Sequence, residues 1–171
     1  MEYVKDSYTR NGVEITGTWI PDNDLSKYSP ITQAYGISFN GKSEILVCRQ
    51  IKDSRWQIPG GHPEEGESLE ISLARELEEE TDIKIKNIKA LGVVKVEYPN
   101  NPDKTEGEIF YQSRFICDLD ELSPQTPDPA NGNVWERVFV PAEKVTEYVK
   151  WGKVGEAMFS DAIKLWRAAN D

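Results

Sequence analysis

Residues 60–83 read GGHPEEGESLEISLARELEEETDI: a glycine pair, an acidic loop, and then a helix over residues 67–81. Leu69, Leu73 and Leu77 recur every fourth residue and mark its buried stripe. Each residue advances roughly 100°, so Leu73 and Leu77 fall at roughly 40° and 80° from Leu69. On the same wheel Glu80 lies at roughly 20°, Glu76 at −20° and Glu79 at −80°, whereas Glu78 points away at roughly 180°. Three carboxylates therefore gather along one edge of the apolar face, where water is scarce.

A bare helix is not served by this arrangement. Like charges three or four residues apart cost about 0.2–0.5 kcal/mol per pair. The cluster also sits in the last two turns, where the helix dipole opposes each anion by about 0.3–1 kcal/mol. Arg75 can relieve Glu79 one turn on, but one cation does not neutralise three anions. Crowded, partly dry carboxylates persist when a cation binds among them, and their hard oxygens suit magnesium or manganese.

Outward from this helix the chain alternates between strand-like runs and turns. ITQAYGISF and EILVCRQ flank Asn40-Gly41, a dipeptide favoured in tight hairpins. RWQIP reads as a short strand entering Gly60-Gly61, and further strands are predicted over 83–88, 91–98, 108–117 and 134–140. Pro141 is placed to open a short helix, and an amphipathic helix closes the chain over 154–168. One strand, 13–20, is expected within the first thirty residues. A helix between strands, with more helices at the end, predicts an α/β fold: a mixed sheet covered on both faces. Gly36 to Ser43 also spells G-x-x-x-x-G-K-S, but that phosphate loop must lead into a helix. Here it leads into EILVCRQ, so a hairpin is the better reading.

Composition bounds the function. The chain has 171 residues and a net charge of −10, which argues against a broad electrostatic grip on nucleic acid or anionic lipid. An anionic substrate would need local charge reversal, for which bound divalent cations are the simplest means. The longest apolar runs are too short to span a membrane, and MEYVKDSYTR lacks the apolar core of a secretory signal, so a cytoplasmic location is expected. Cys48 and Cys117 lie in strand-like runs and read as reduced core thiols. His62 is the sole histidine, with no cysteine beside it, which disfavours zinc and a serine–histidine mechanism.

Residues 61–83 resemble the box of the Nudix hydrolase family, G-x5-E-x7-R-E-U-x-E-E-x-G-U, where U is bulky and aliphatic. Gly61, Glu67, Arg75, Glu76, Leu77, Glu79, Glu80 and Ile83 match it. Asp82 stands where the box has glycine. Asp tolerates the left-handed conformation of a helix end, so modest strain is expected, and Asp82→Gly is expected to add up to about 1 kcal/mol of stability. The resemblance implies a Nudix-like α/β/α sandwich, with residues 1–30 as an N-terminal extension packed on a single domain spanning 31–171. It further implies Mg2+ (or Mn2+) held by Glu76, Glu79, Glu80 and the Gly61 carbonyl, with Glu67 in or beside the site. Arg75 would hold the glutamates, and Glu79 or Glu80 would activate water to cleave a diphosphate in a small nucleotide-like molecule. Beyond the box, Arg49, Arg55, Trp56 and Tyr98 are candidate substrate contacts, and Glu106 or Glu108 a candidate extra carboxylate. Two alternatives stand beside hydrolysis: a nucleotide sensor without catalysis, and a prenyl-diphosphate isomerase that would need a reactive cysteine. A homodimer is left open.

Overall fold

In the computed structural model, which describes residues 2–171, Asn11-Gly12 closes the first hairpin. Lys5–Arg10 (β1) runs antiparallel to Val13–Pro21 (β2), with Arg10 opposite Val13. Both turn residues have positive φ, 51° and 77°, which is the geometry Asn-Gly favours. Two strands thus stand where the sequence reading expected one. KDSYTR escaped because five of its six residues are exposed, leaving no apolar alternation to read. At Asn40-Gly41 the hairpin forms between Ile31–Phe39 (β3) and Glu44–Gln50 (β4), but through a longer turn. The Ser43 N–H donates to the Asn40 carbonyl at 3.2 Å, and Ser43 itself (φ 58°) takes the left-handed position.

The remaining strands are Gly60–Gly61 (β5), Ile83–Glu97 (β6), Ile109–Leu122 (β7) and Trp135–Pro141 (β8). They form one sheet in the order β1-β2-β6-β7-β3-β4-β8, with β5 beside β3. Only β3 and β7 run parallel, so the sheet is mixed. The runs predicted over 83–88 and 91–98 are one strand, with register shifts near Lys86 and Ala90. RWQIP forms no strand. Its Gln57 bridges to Cys48 while the Pro59 carbonyl accepts from Gly36 N–H at 3.0 Å, so residues 57–61 fill the gap where β3 and β4 diverge.

Helices cover both faces. On one, Leu69–Thr81 (α1) packs Leu73 and Leu77 against Ala34, Leu46, Phe115 and Cys117. A side chain at Gly36 would meet the Leu73 and Leu77 methyls at 3.0 and 3.2 Å, so this glycine serves packing, not phosphate. On the other face, Gly152–Asn170 (α3) lays Met158 and Phe159 over Ile15, Trp19, Ile37 and Phe39. Trp166 stacks on Phe39 at 4.6 Å and donates to Asp118. A 3-10 turn at Ala142–Lys144 and the short helix Val145–Tyr148 (α2) follow Pro141. No helix among the described residues is long and apolar enough to cross a membrane.

At its start α1 is capped by the Ser68 hydroxyl, which accepts from Ile71 N–H at 3.1 Å. At its end Asp82 is left-handed, φ 53° and ψ 40°. Its carboxylate accepts from Thr126 N–H at 2.8 Å and Thr126 Oγ1–H at 2.7 Å, anchoring the loop after β7. This reverses the effect expected of glycine. Asp82→Gly relieves up to about 1 kcal/mol of backbone strain but forfeits two hydrogen bonds of about 1 kcal/mol each. The variant should melt slightly below the parent, and Asp82→Asn, which keeps an acceptor, should lie between them. A melting point raised by Asp82→Gly would mean the Thr126 contacts contribute nothing.

Candidate functional site

The acidic edge of α1 meets the Gly60-Gly61 bend. Glu80 is only 7% exposed, and the Gly60 N–H reaches its Oε2 at a long 3.3 Å. It has no basic partner among the described residues. Burial, and then the neighbouring Glu76 charge, push its carboxyl up to about 8. Half-buried Glu76 is raised too, again chiefly by burial. Its carboxylate lies 2.7–2.9 Å from where a side chain on Gly61 would begin. Glu78 is exposed, as the helical wheel requires.

Arg75 organises the rest. It grips the Glu67 carboxylate through Nε and Nη2, both at 2.9 Å, and through Nη1 donates to Glu76 at 3.0 Å and Glu79 at 3.1 Å. Nη2 also reaches the His62 carbonyl at 3.1 Å. Glu67 in turn accepts from Glu64 N–H at 2.6 Å, and its carboxyl is lowered by the Arg75 hydrogen bonds. Because Arg75 draws Glu76 and Glu79 while Glu80 turns to Gly60, no three acidic side chains among the described residues converge on one point. The donor set nevertheless fits a hard cation: Glu76, Glu79, Glu80 and the Gly61 carbonyl offer only oxygen, and Glu80 leaves most of its lone pairs free.

Outside the helix, Asp128 also belongs to this neighbourhood. It is 4% exposed, and its charge helps raise both Glu76 and Glu80. Sequence reasoning missed it, because PQTPDPANGN reads as an ordinary turn and nothing local says that it folds back toward α1.

The candidate substrate contacts separate. A cleft of about 940 Å³ opens on the face of the sheet opposite α1, and Arg55, His62, Tyr98 and Glu106 all line it. Glu106 joins Gln33 and His62 at 3.0 Å each. Glu108 instead accepts from Asn100 N–H, shaping the β6–β7 loop. Arg49 and Trp56 lie elsewhere: Arg49 pairs with Glu136 at 2.9 Å and stacks on Trp56 at 4.4 Å. Tyr35, Arg114 and Trp151, which the sequence reading did not single out, also line the cleft.

Gly61→Ala tests the contact between β5 and α1. The new methyl must displace the Glu76 carboxylate, the far end of a flexible side chain. Stability should change by less than about 1 kcal/mol, while affinity for divalent metal should fall about tenfold or more. Unchanged metal affinity would show that Glu76 and Gly61 do not act together.

Similar folds occur among solved structures. A pyrophosphohydrolase of Bacillus subtilis superposes with a TM-score of 0.67 at 18% identity, covering 94% of this chain and 95% of the other. A UDP-X diphosphatase matches at 0.59 and 20% identity, covering 80% and 64%. A Nudix hydrolase from Nitrosomonas europaea matches at 0.59 and 16% identity, covering 78% and 88%. At such identities these likenesses speak to the fold. The family is shown by the sequence itself: residues 31–159 match the model of the NUDIX domain, and the chain belongs to that family.

Proposed function

We propose that this chain is a divalent-metal-dependent hydrolase that cleaves the diphosphate of a nucleoside diphosphate joined to another moiety. The observation that carries the reading is Glu80, a buried carboxylate without a basic partner among the described residues, set with Glu76 against the Gly60-Gly61 bend while Arg75 holds Glu79 alongside Glu76. Glu76, Glu79, Glu80 and the Gly61 carbonyl would hold magnesium. Bound there, the ion would supply Lewis acidity that eases loss of a proton from water and would offset charge on the phosphate oxygens. Arg75 fixes Glu67, Glu76 and Glu79 relative to one another. Glu79 or Glu80 takes the proton as water oxygen bonds to phosphorus, and the bridging P–O bond breaks to release the second phosphate product. The names of two similar structures, a pyrophosphohydrolase and a UDP-X diphosphatase, agree with this reading.

A sensor would be expected to have lost one of these glutamates, and all remain. Isomerisation would need a reactive thiol, yet burial pushes Cys48 up strongly and Cys117 to about 12. The test is a panel of nucleotide sugars, dinucleotides and nucleoside triphosphates with magnesium. At least one nucleoside diphosphate conjugate should yield two phosphorylated products. Tight nucleotide binding with no cleavage anywhere in the panel would favour the sensor.

A further inference from the structure

Within the cleft, one residue is out of keeping with its surroundings. β3 and β7 pair Gln33 with Gln112 and Tyr35 with Arg114, so these four side chains share the face opposite α1. Arg114 is 4% exposed. Its Nη1 donates to the Ser113 carbonyl at 3.2 Å and its Nη2 to Gln112 Oε1 at 3.1 Å, while Nε has no partner. The guanidinium lies over Tyr35 at 4.6 Å and Trp151 at 5.5 Å. Among the described residues no carboxylate pairs with it. Burial lowers its pKa to about 10, so it remains a cation at neutral pH.

A buried charge without a counter-charge is costly, and an apolar side chain would pack there more cheaply. The acids of the same cleft make their contacts elsewhere and none forms an ion pair with Arg114. Asp6 accepts from Ser7 and Lys153 N–H, Asp103 from Thr105, and Glu106 from Gln33 while pairing with His62. At 940 Å³ the cleft lies within the usual size range for a small-molecule site, about 300–1,000 Å³. Tyr98, Phe110 and Met158 give it apolar walls, and Arg10, Arg55 and Lys150 also line it.

Polar contacts tie this cleft to α1. Arg114 reaches Gln112, Gln112 reaches Gln33, Gln33 contacts His62, and the His62 carbonyl accepts from Arg75. Tyr35 also pairs with Gly60, which places Arg114 two strand spacings, roughly 10 Å, from the Gly60-Gly61 bend. The Arg114 side chain leaves the sheet on the face opposite α1, whereas Glu76, Glu79 and Glu80 belong to α1 on the other face, so the guanidinium and the acidic edge address different parts of a ligand.

We propose that the cleft receives the moiety attached to the scissile diphosphate, and that Arg114 determines specificity by binding a further phosphate group on that moiety. Placing the scissile bond at α1 rests on the hydrolase reading; phosphate capture by Arg114 does not. The test is therefore made on the metal-free protein, by calorimetric titration with inorganic phosphate, adenosine 5′-monophosphate and adenosine. The parent should bind the monophosphate at least tenfold tighter than adenosine. Arg114→Met should weaken inorganic phosphate and the monophosphate at least tenfold while leaving adenosine unchanged. Its ligand-free melting point should equal or exceed the parent's. Should that variant not fold, Arg114→Gln removes the same charge and should show the same losses. Parent-like phosphate affinity in the folded variant would overturn the proposal, and so would a lower melting point alone, which would assign Arg114 to packing. Hydrolysis by the parent with parent-like phosphate binding by Arg114→Met would refute this site and leave the hydrolase reading standing. Arg114-dependent phosphate binding without hydrolysis of any diphosphate would do the reverse.

Discussion

Glu79→Gln and Glu80→Gln are each expected to lower turnover by about 10²–10⁴-fold, the range for removing a general base or an essential ligand. Glu78→Gln should match the parent. All three replacements exchange a carboxyl for an amide of nearly the same shape at adjacent positions of α1, so composition and helix propensity barely differ among them. What differs is placement. Glu80 is buried against Gly60, Glu79 is held by Arg75 at 3.1 Å, and Glu78 faces solvent. Steady-state kinetics on the best substrate of the panel would decide it. Equal losses for all three would show that bulk negative charge matters and the arrangement at the Gly60-Gly61 bend does not.

The second large effect concerns stability without metal. Glu80 has its folded pKa raised from 4.5 to about 8, chiefly by burial. The native state therefore holds a proton that the unfolded chain gives up between these values. Stability from this group is fully present below about pH 4.5 and is lost as pH climbs toward 8, by at most about 5 kcal/mol. Glu76 is shifted in the same direction and adds to the slope. In chelator, Glu80→Gln should flatten most of this decline and melt above the parent at pH 8. Magnesium should reverse the order, because a ligand that binds only the native state adds about 2.7 kcal/mol at a hundredfold excess over Kd. The parent should gain much of that and the variant little. Identical pH profiles for the two proteins in chelator would mean that Glu80 is not strained.

Much of this site was legible in the sequence because its geometry is local. A helical period fixes which of Glu76, Glu78, Glu79 and Glu80 shares an edge with Leu73 and Leu77, and no tertiary knowledge is needed. The left-handed Asp82 was legible for the same reason, but its bond to Thr126 was not, since that contact joins residues 44 positions apart. Asp128 and Arg114 were hidden in the same way. Arg114 reads as one polar residue in a strand until the parallel register sets it beside Tyr35. The mixed sheet with helices on both faces followed from the order of elements. Its outermost strand did not, because KDSYTR carries almost no buried face, and Asn11-Gly12, which makes the two-residue turn, lacks the two apolar flanks that mark Asn40-Gly41.

Metal binding itself is the most direct test. Manganese titrated into metal-free protein, with free ion followed by electron paramagnetic resonance, should reveal at least one site in the parent. Glu76→Gln and Glu80→Gln should each weaken that site tenfold or more, and Glu78→Gln should leave it unchanged. A parent that binds no manganese, with or without a nucleoside diphosphate present, or one whose binding survives both substitutions, would contradict the assignment of these glutamates.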